Sequence, residues 1–102
     1  MFTFTRVVRF KNVASMMAAM PICLQIVEHN KKITKMESHL MVPTLGGHPG
    51  RVLFVFTGDS IADMQAATEK ITQDKKYVEL VSKLGEYVDG TATNDQAWKT
   101  IV

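Results

Sequence analysis

Glu37 and His39 stand two residues apart, a spacing that puts both side chains on one face of a strand. A little further on, His48 and Arg51 flank Pro49-Gly50 at the end of a glycine-rich turn, Gly46-Gly47-His48-Pro49-Gly50. If that turn folds back as a hairpin, the four side chains converge at one end of a sheet. An imidazole oriented by a carboxylate can take up and return a proton, so His39 with Glu37 is the candidate catalytic pair. His39, Glu37 and His48 also have the side-chain types of a metal site, but the same residues on an outer strand suit a solvated or dimer-interface face, and no metal is assigned. Arg51 and His48 beside the turn, and Arg6 and Arg9 on an opening strand, are the candidate ligand-binding residues, because each can meet an anionic group. Arg6 and Arg9 fall on opposite faces of their strand, so at most one of the two serves any single pocket. The glycine-rich turn leads into a strand, which leaves it without the helix N-terminus that cradles phosphate.

Those residues must be positioned by the elements around them. Residues 2–10 alternate, with Phe2, Phe4, Arg6, Val8 and Phe10 on one face, and predict a first strand. Asn12 is a suitable cap for a helix over residues 13–30, in which Val13, Met17, Met20, Leu24 and Val27 form one apolar stripe and Met16, Ala19, Cys23 and Ile26 a second. Pro21 lies inside that pattern and predicts a kink or a break. The polar run His29 to Lys32 ends the helix, and residues 33–42 predict an outer strand with one apolar face.

After the turn, Val52, Phe54 and Phe56 point one way while Leu53 and Val55 point the other, so both faces of the third strand require cover. One layer of helices can cover one face; a second copy of the chain is the natural cover for the other. Ser60 and Asp63 approximate a capping box for a helix to about Thr72, with Ile61, Met64, Thr68 and Ile71 inward. Asp74 caps another helical piece, with Tyr77, Val78, Val81, Leu84 and Val88 inward and Gly85 weakening its end. Residues 89–97 lack apolar periodicity and read as a loop, and residues 98–102 as a short last strand.

The 102 residues form one domain, 1–102, with no repeat or linker. A net charge of +2 with scattered basic residues gives no nucleic-acid footprint. The single cysteine, Cys23, excludes an internal disulfide, fits a cytoplasmic setting, and is a poor nucleophile among Pro21, Ile22, Leu24 and Ile26. The apolar run from Val13 to Val27 is interrupted by Pro21 and Gln25 and falls short of the roughly 20 residues that a membrane span needs, so no membrane partner is expected. It also lacks the cleavage pattern of an export signal.

The order strand, helix, strand, strand, helix in two pieces, strand is the split βαβ pattern of a ferredoxin-like α+β domain. With it go the segment Arg6-Val-Val-Arg-Phe-Lys11, the turn Gly46-Gly-His-Pro-Gly-Arg51, the helix start Asp59-Ser-Ile-Ala-Asp-Met-Gln-Ala-Ala67 and the segment Asp74-Lys-Lys-Tyr-Val-Glu-Leu-Val81. On these features nearly the whole chain resembles the dimeric α/β-barrel superfamily, and within it the small NIPSNAP-like and antibiotic-biosynthesis-monooxygenase-like proteins. The resemblance implies a four-stranded antiparallel sheet with helices on one face and a sheet-to-sheet homodimer. It also implies a protein that binds or transforms a hydrophobic small molecule, with cofactor-free oxygenation as the chemistry if it is an enzyme. The alternative is a non-enzymatic dimerisation or regulatory module without a catalytic site. Haem-degrading relatives use an Asn on the first strand, a Trp, and an axial His on the second helix. Here Asn12 follows the first strand, Trp98 lies on the last, and His29 is on the first helix, so those roles carry over to no residue and no cofactor is expected.

Overall fold

The structure, a computed structural model, describes residues 1–44, 50–89 and 94–101. Seven elements follow one another: β1 (Phe2–Arg9), α1 (Val13–Thr34), β2 (Ser38–Met41), β3 (Arg51–Gly58), α2 (Ile61–Thr72), α3 (Lys75–Leu84) and β4 (Asn94–Lys99). The strands form one antiparallel sheet in the order β2-β3-β1-β4. β3 is thereby inserted between the two strands that α1 connects, which is the split βαβ arrangement of a ferredoxin-like fold. β3, apolar on both faces, is an interior strand of the sheet.

Registers fix which residues share a face. Phe4 pairs with Phe56, Arg6 with Phe54 and Val8 with Val52, while Ser38 and Leu40 of β2 lie opposite Phe56 and Phe54. This is the helix side: Val8 and Val52 join Ala19, Cys23 and Ile26 of α1 and Leu80 and Leu84 of α3 in the core. The other face carries Thr5, Val7, Leu53, Val55, His39, Met41, Gln96 and Trp98. Among the described residues no second layer covers it, and Met41 and Trp98 remain 49% and 57% exposed.

Asn12 caps α1 as expected, its Oδ1 accepting from the Ser15 N–H at 2.7 Å. Asn12→Ala is expected to lower stability by about 0.5–2 kcal/mol in a denaturant titration, the usual loss for an N-cap. Pro21 does not break the helix. It denies a hydrogen bond to the Met17 carbonyl, but Met17 and Pro21 both lie on the exposed side, where water can replace that donor. The first apolar stripe mostly faces outward, with Val13, Met17 and Leu24 exposed; the deep side is Ala19, Cys23, Ile26 and Val27. The helix also outruns its expected end at Asn30. His29 to Lys32 continue as helix, with only Lys31 and Lys32 exposed, and termination waits for Lys35, whose left-handed φ of 59° lets its N–H bond to the Lys31 carbonyl at 2.8 Å. β2 is correspondingly shorter than residues 33–42, and as expected it is an edge strand.

The second helix comes in the two pieces expected. Ser60 caps α2 through the Asp63 N–H at 3.1 Å, and Asp74 caps α3 through the Tyr77 N–H at 2.9 Å. The buried residues of α3 are Leu80 and Leu84, whereas Val78 and Val81 are exposed. β4 starts at Asn94, inside the stretch that reads as loop. It is an edge strand hydrogen-bonded to β1 from Phe2↔Lys99 to Val7↔Asn94, so backbone pairing defines it without an apolar pattern. The turn residues 45–49 lie outside the described residues. Gly50, just after them, has φ 83°, and its carbonyl accepts from the Phe10 N–H at 2.7 Å; a Cβ there would sit 3.4 Å from the Asn12 carbonyl carbon.

Candidate functional site: a cavity between sheet and helices

Among the described residues, two indentations of the surface stand out. The larger, about 520 Å3, lies at the end of the sheet where Lys35, Glu37, Asp59, Asp63 and Lys70 meet; it is wide open and lined by both signs of charge. The smaller, about 220 Å3, is more enclosed and lies between the helix-side face of the sheet and the helices. Size favours the first, but apolar and aromatic walls with a few placed polar groups are the marks of a small-molecule site, and these belong to the second.

Phe4, Phe54 and Phe56 form its sheet wall because β1 and β3 place all three on the helix side. The Phe4 and Phe56 rings lie 4.9 Å apart at 35°. Arg6 shares that face, and its guanidinium is fixed from two directions. Nε donates to Asp95 Oδ1 at 2.7 Å and Nη2 to Asp95 Oδ2 at 2.8 Å, while Nη1 donates to the Tyr77 hydroxyl at 3.4 Å. The Asp95 hydrogen bonds hold the Arg6 pKa above its ordinary value against the opposing pull of desolvation. Ser38, only 6% exposed, and Asn30, whose Oδ1 is buried without a hydrogen-bond partner, add polar groups to the lining.

Tyr77 is held in turn by Asp74, which caps the turn of α3 that carries it. His29 Nε2 of α1 lies 2.6 Å from the same Asp74 Oδ1, so this carboxylate ties α1 to α3. The Tyr77 N–H, then His29, hold the Asp74 carboxyl below its ordinary pKa. A group whose folded pKa is depressed contributes stability above its unfolded pKa and loses it as pH falls through the folded value. Asp74→Asn is therefore expected to flatten the acid side of the stability–pH curve, read by denaturant midpoints across the carboxylate range, and to leave the alkaline side unchanged in shape.

The structure separates the candidate residues. His39 lies on the uncovered sheet face opposite Val55, exposed, whereas Arg51 lies four residues along β3, roughly 13 Å away by strand rise. Glu37 precedes β2 and lines the open cleft at the other end of the sheet, and no side-chain hydrogen bond or ion pair joins it to His39. His48 lies outside the described residues. Arg9 and Arg51 do come together, directly opposite each other on the uncovered face, and Arg9 Nε is buried without a partner. Of the described candidates, Arg6 alone lines the smaller cavity, on the other face from Arg9. Among the described residues no group of three or more His, Cys, Asp and Glu side chains could hold a metal, and no helix is long and apolar enough to cross a membrane. Cys23 is fully buried, and burial pushes its thiol up to about 11. Sequence reasoning missed Asp95, because its strand has no apolar pattern, and took Tyr77 for core. The available signal for Tyr77 was its place three residues after the Asp74 cap.

No protein-family profile and no curated protein matches the chain. Solved structures do match over its whole length. An uncharacterised NIPSNAP domain protein from Burkholderia xenovorans superposes with a TM-score of 0.82 at 12% identity, covering 99% of this chain and 95% of its own. An antibiotic biosynthesis monooxygenase gives 0.74 at 12% identity, with 100% of both chains covered. A dimeric protein of unknown function and ferredoxin-like fold from Bacteroides fragilis gives 0.72 at 10% identity, covering 97% and 95%. The sheet order, the helix layer and these superpositions together give the chain the ferredoxin-like fold of NIPSNAP-domain and antibiotic-biosynthesis-monooxygenase structures.

Proposed function

We propose that this chain forms a homodimer through its uncovered sheet faces and that each protomer binds a hydrophobic small molecule in the cavity between sheet and helices. The observation that carries the reading is Arg6, the one formally charged side chain among the described residues of the lining, held beside Phe4, Phe54 and Phe56 by Asp95 and Tyr77. A cavity with aromatic walls supplies affinity, and one fixed polar cluster supplies orientation. If the molecule is transformed as well as bound, cofactor-free oxygenation is the chemistry suggested by the similarity to a monooxygenase structure. His39, on the far face of the sheet from this cavity, belongs in this reading to the dimer side.

Native mass spectrometry on protein purified without added ligand tests both halves of the reading. The expected spectrum is a dimer carrying added mass, or a dimer that takes up one naphthalene-sized apolar molecule per protomer. A monomer overturns the assembly. A dimer that neither retains nor takes up such a molecule is the non-enzymatic dimerisation module instead.

A further inference from the structure

Arg6 invites the assumption that the cavity receives an anion, since a guanidinium on an apolar wall binds carboxylates through two parallel hydrogen bonds. That fork is already occupied. Nε and Nη2, the pair of donors that a ligand carboxylate would engage, both face Asp95, at 2.7 and 2.8 Å. Asp95 does not line the cavity; it reaches Arg6 from the edge strand β4. Among the described residues Arg6 is the only formally charged side chain on the lining, so Asp95 cancels the one charge the cavity has. A carboxylate entering there would be desolvated beside a second carboxylate, with no free fork to receive it.

The donors left over at this end of the cavity, apart from the Ser38 and Asn30 side chains on the lining, are the remaining N–H groups of Arg6 and the Tyr77 hydroxyl, which lies 3.4 Å from Nη1. Both can point at a single acceptor oxygen. The walls on either side of that point are Phe4, Phe54 and Phe56, with Ile71 and Leu84 opposite. A volume of about 220 Å3 is below the usual range for drug-sized ligands, and suits a flat molecule of about two fused rings.

We propose that the cavity takes a neutral, planar apolar molecule bearing a carbonyl oxygen, which is received by Arg6 and Tyr77. Asp95 is the positioning residue that sets this preference over the corresponding carboxylate. The proposal rests on the cavity being a ligand site, as argued above, and adds the charge class of its ligand.

Two probes of matched shape, methyl 2-naphthyl ketone and 2-naphthoate, test it by equilibrium dialysis with the full chain at neutral pH. The Arg6–Asp95 pair is 37% and 42% exposed, so solvent moderates the expected preference for the ketone to about fivefold or more. Asp95→Asn keeps the side-chain shape, frees the guanidinium, and should bring the two probes level or invert their order. Adding Arg6→Gln to that variant removes the charge again and should restore the preference for the ketone. A change in the ratio of two probes is a readout that mere loss of packing at β4 would not produce. Naphthoate binding as well as the ketone to the native chain overturns the neutral-ligand assignment and leaves the cavity reading standing. An unchanged ratio in Asp95→Asn removes the role of Asp95. If neither probe binds, the cavity reading fails and this proposal fails with it.

Discussion

Leu80→Ala is expected to lower the unfolding free energy by about 2–5 kcal/mol, out of the roughly 5–15 kcal/mol that holds a domain of this kind folded. Leu80 is 2% exposed and is among the three largest fully buried side chains, with Val52 and Cys23. It packs in the cluster where α3 meets α1 and the helix side of the sheet, alongside Val8, Ala19 and Ile26. Removing its branched end leaves a hole between an interior strand and two helices, and walls built of hydrogen-bonded backbone relax only partly into such a hole. Denaturant titration should show a lower midpoint at an unchanged slope. A loss below about 1 kcal/mol would mean that α3 is not seated on the core. Phe54→Ala makes the contrast: Phe54 is half-buried on the wall of an existing cavity, so its truncation enlarges a space already present. Its loss should fall short of the roughly 3–5 kcal/mol typical of a fully packed phenylalanine, in the same titration.

Leu53→Glu is expected to convert the proposed dimer to folded monomer. Leu53 pairs with Val7 on one side and Met41 on the other, in the middle of the uncovered face. Between two such faces a carboxylate would be buried in each protomer without a partner, a loss on the order of 3–5 kcal/mol per charge. With two such charges in a dimer, about 6–10 kcal/mol, that corresponds to a weakening of more than about ten-thousandfold in dissociation constant. In the separated chain the same side chain reaches water, so the fold should survive. Sedimentation equilibrium together with circular dichroism reads both quantities. A dimer of native strength would place the contact elsewhere, and loss of secondary structure would mean that this face is closed within a single chain.

Local chemistry was readable where one residue decides one contact. Asn12, Ser60 and Asp74 each cap a helix as their positions imply, since a side-chain oxygen three residues before an amide needs no distant partner. The alternation in β1 and the doubly apolar β3 likewise reported true faces, because side-chain period in a strand is independent of what lies next to it. Where two apolar stripes were available, as on α1, periodicity could not say which one faces the core. Packing chose the line of small residues through Ala19 and Cys23, which lets the helix approach the sheet closely, and left Met17 and Leu24 outside.

The candidate site divides in the same way. From residue types alone, His39, Glu37, His48 and Arg51 formed a plausible group, and nothing local opposed it. The register of β2 on β3 separates His39 from Arg51 along the sheet, and a register is a property of two strands together, absent from either one. Arg6 was legible as an arginine set among Phe4 and Val8 on one face of a strand, and its separation from Arg9 followed from the strand period. Its surroundings in the cavity did not follow. Asp95 lies 89 positions away on a strand without apolar pattern, and reaches Arg6 only because β4 returns to pair with β1. Local sequence was enough for the helices, their caps, the first strand and the doubly apolar strand that asks for cover on both sides, all of which depend on neighbours within a few residues. Where β4 begins, which face the helices took, which arginine lines the cavity and which carboxylate pairs with it were settled only by assembly of the sheet, because those contacts join residues that are distant along the chain.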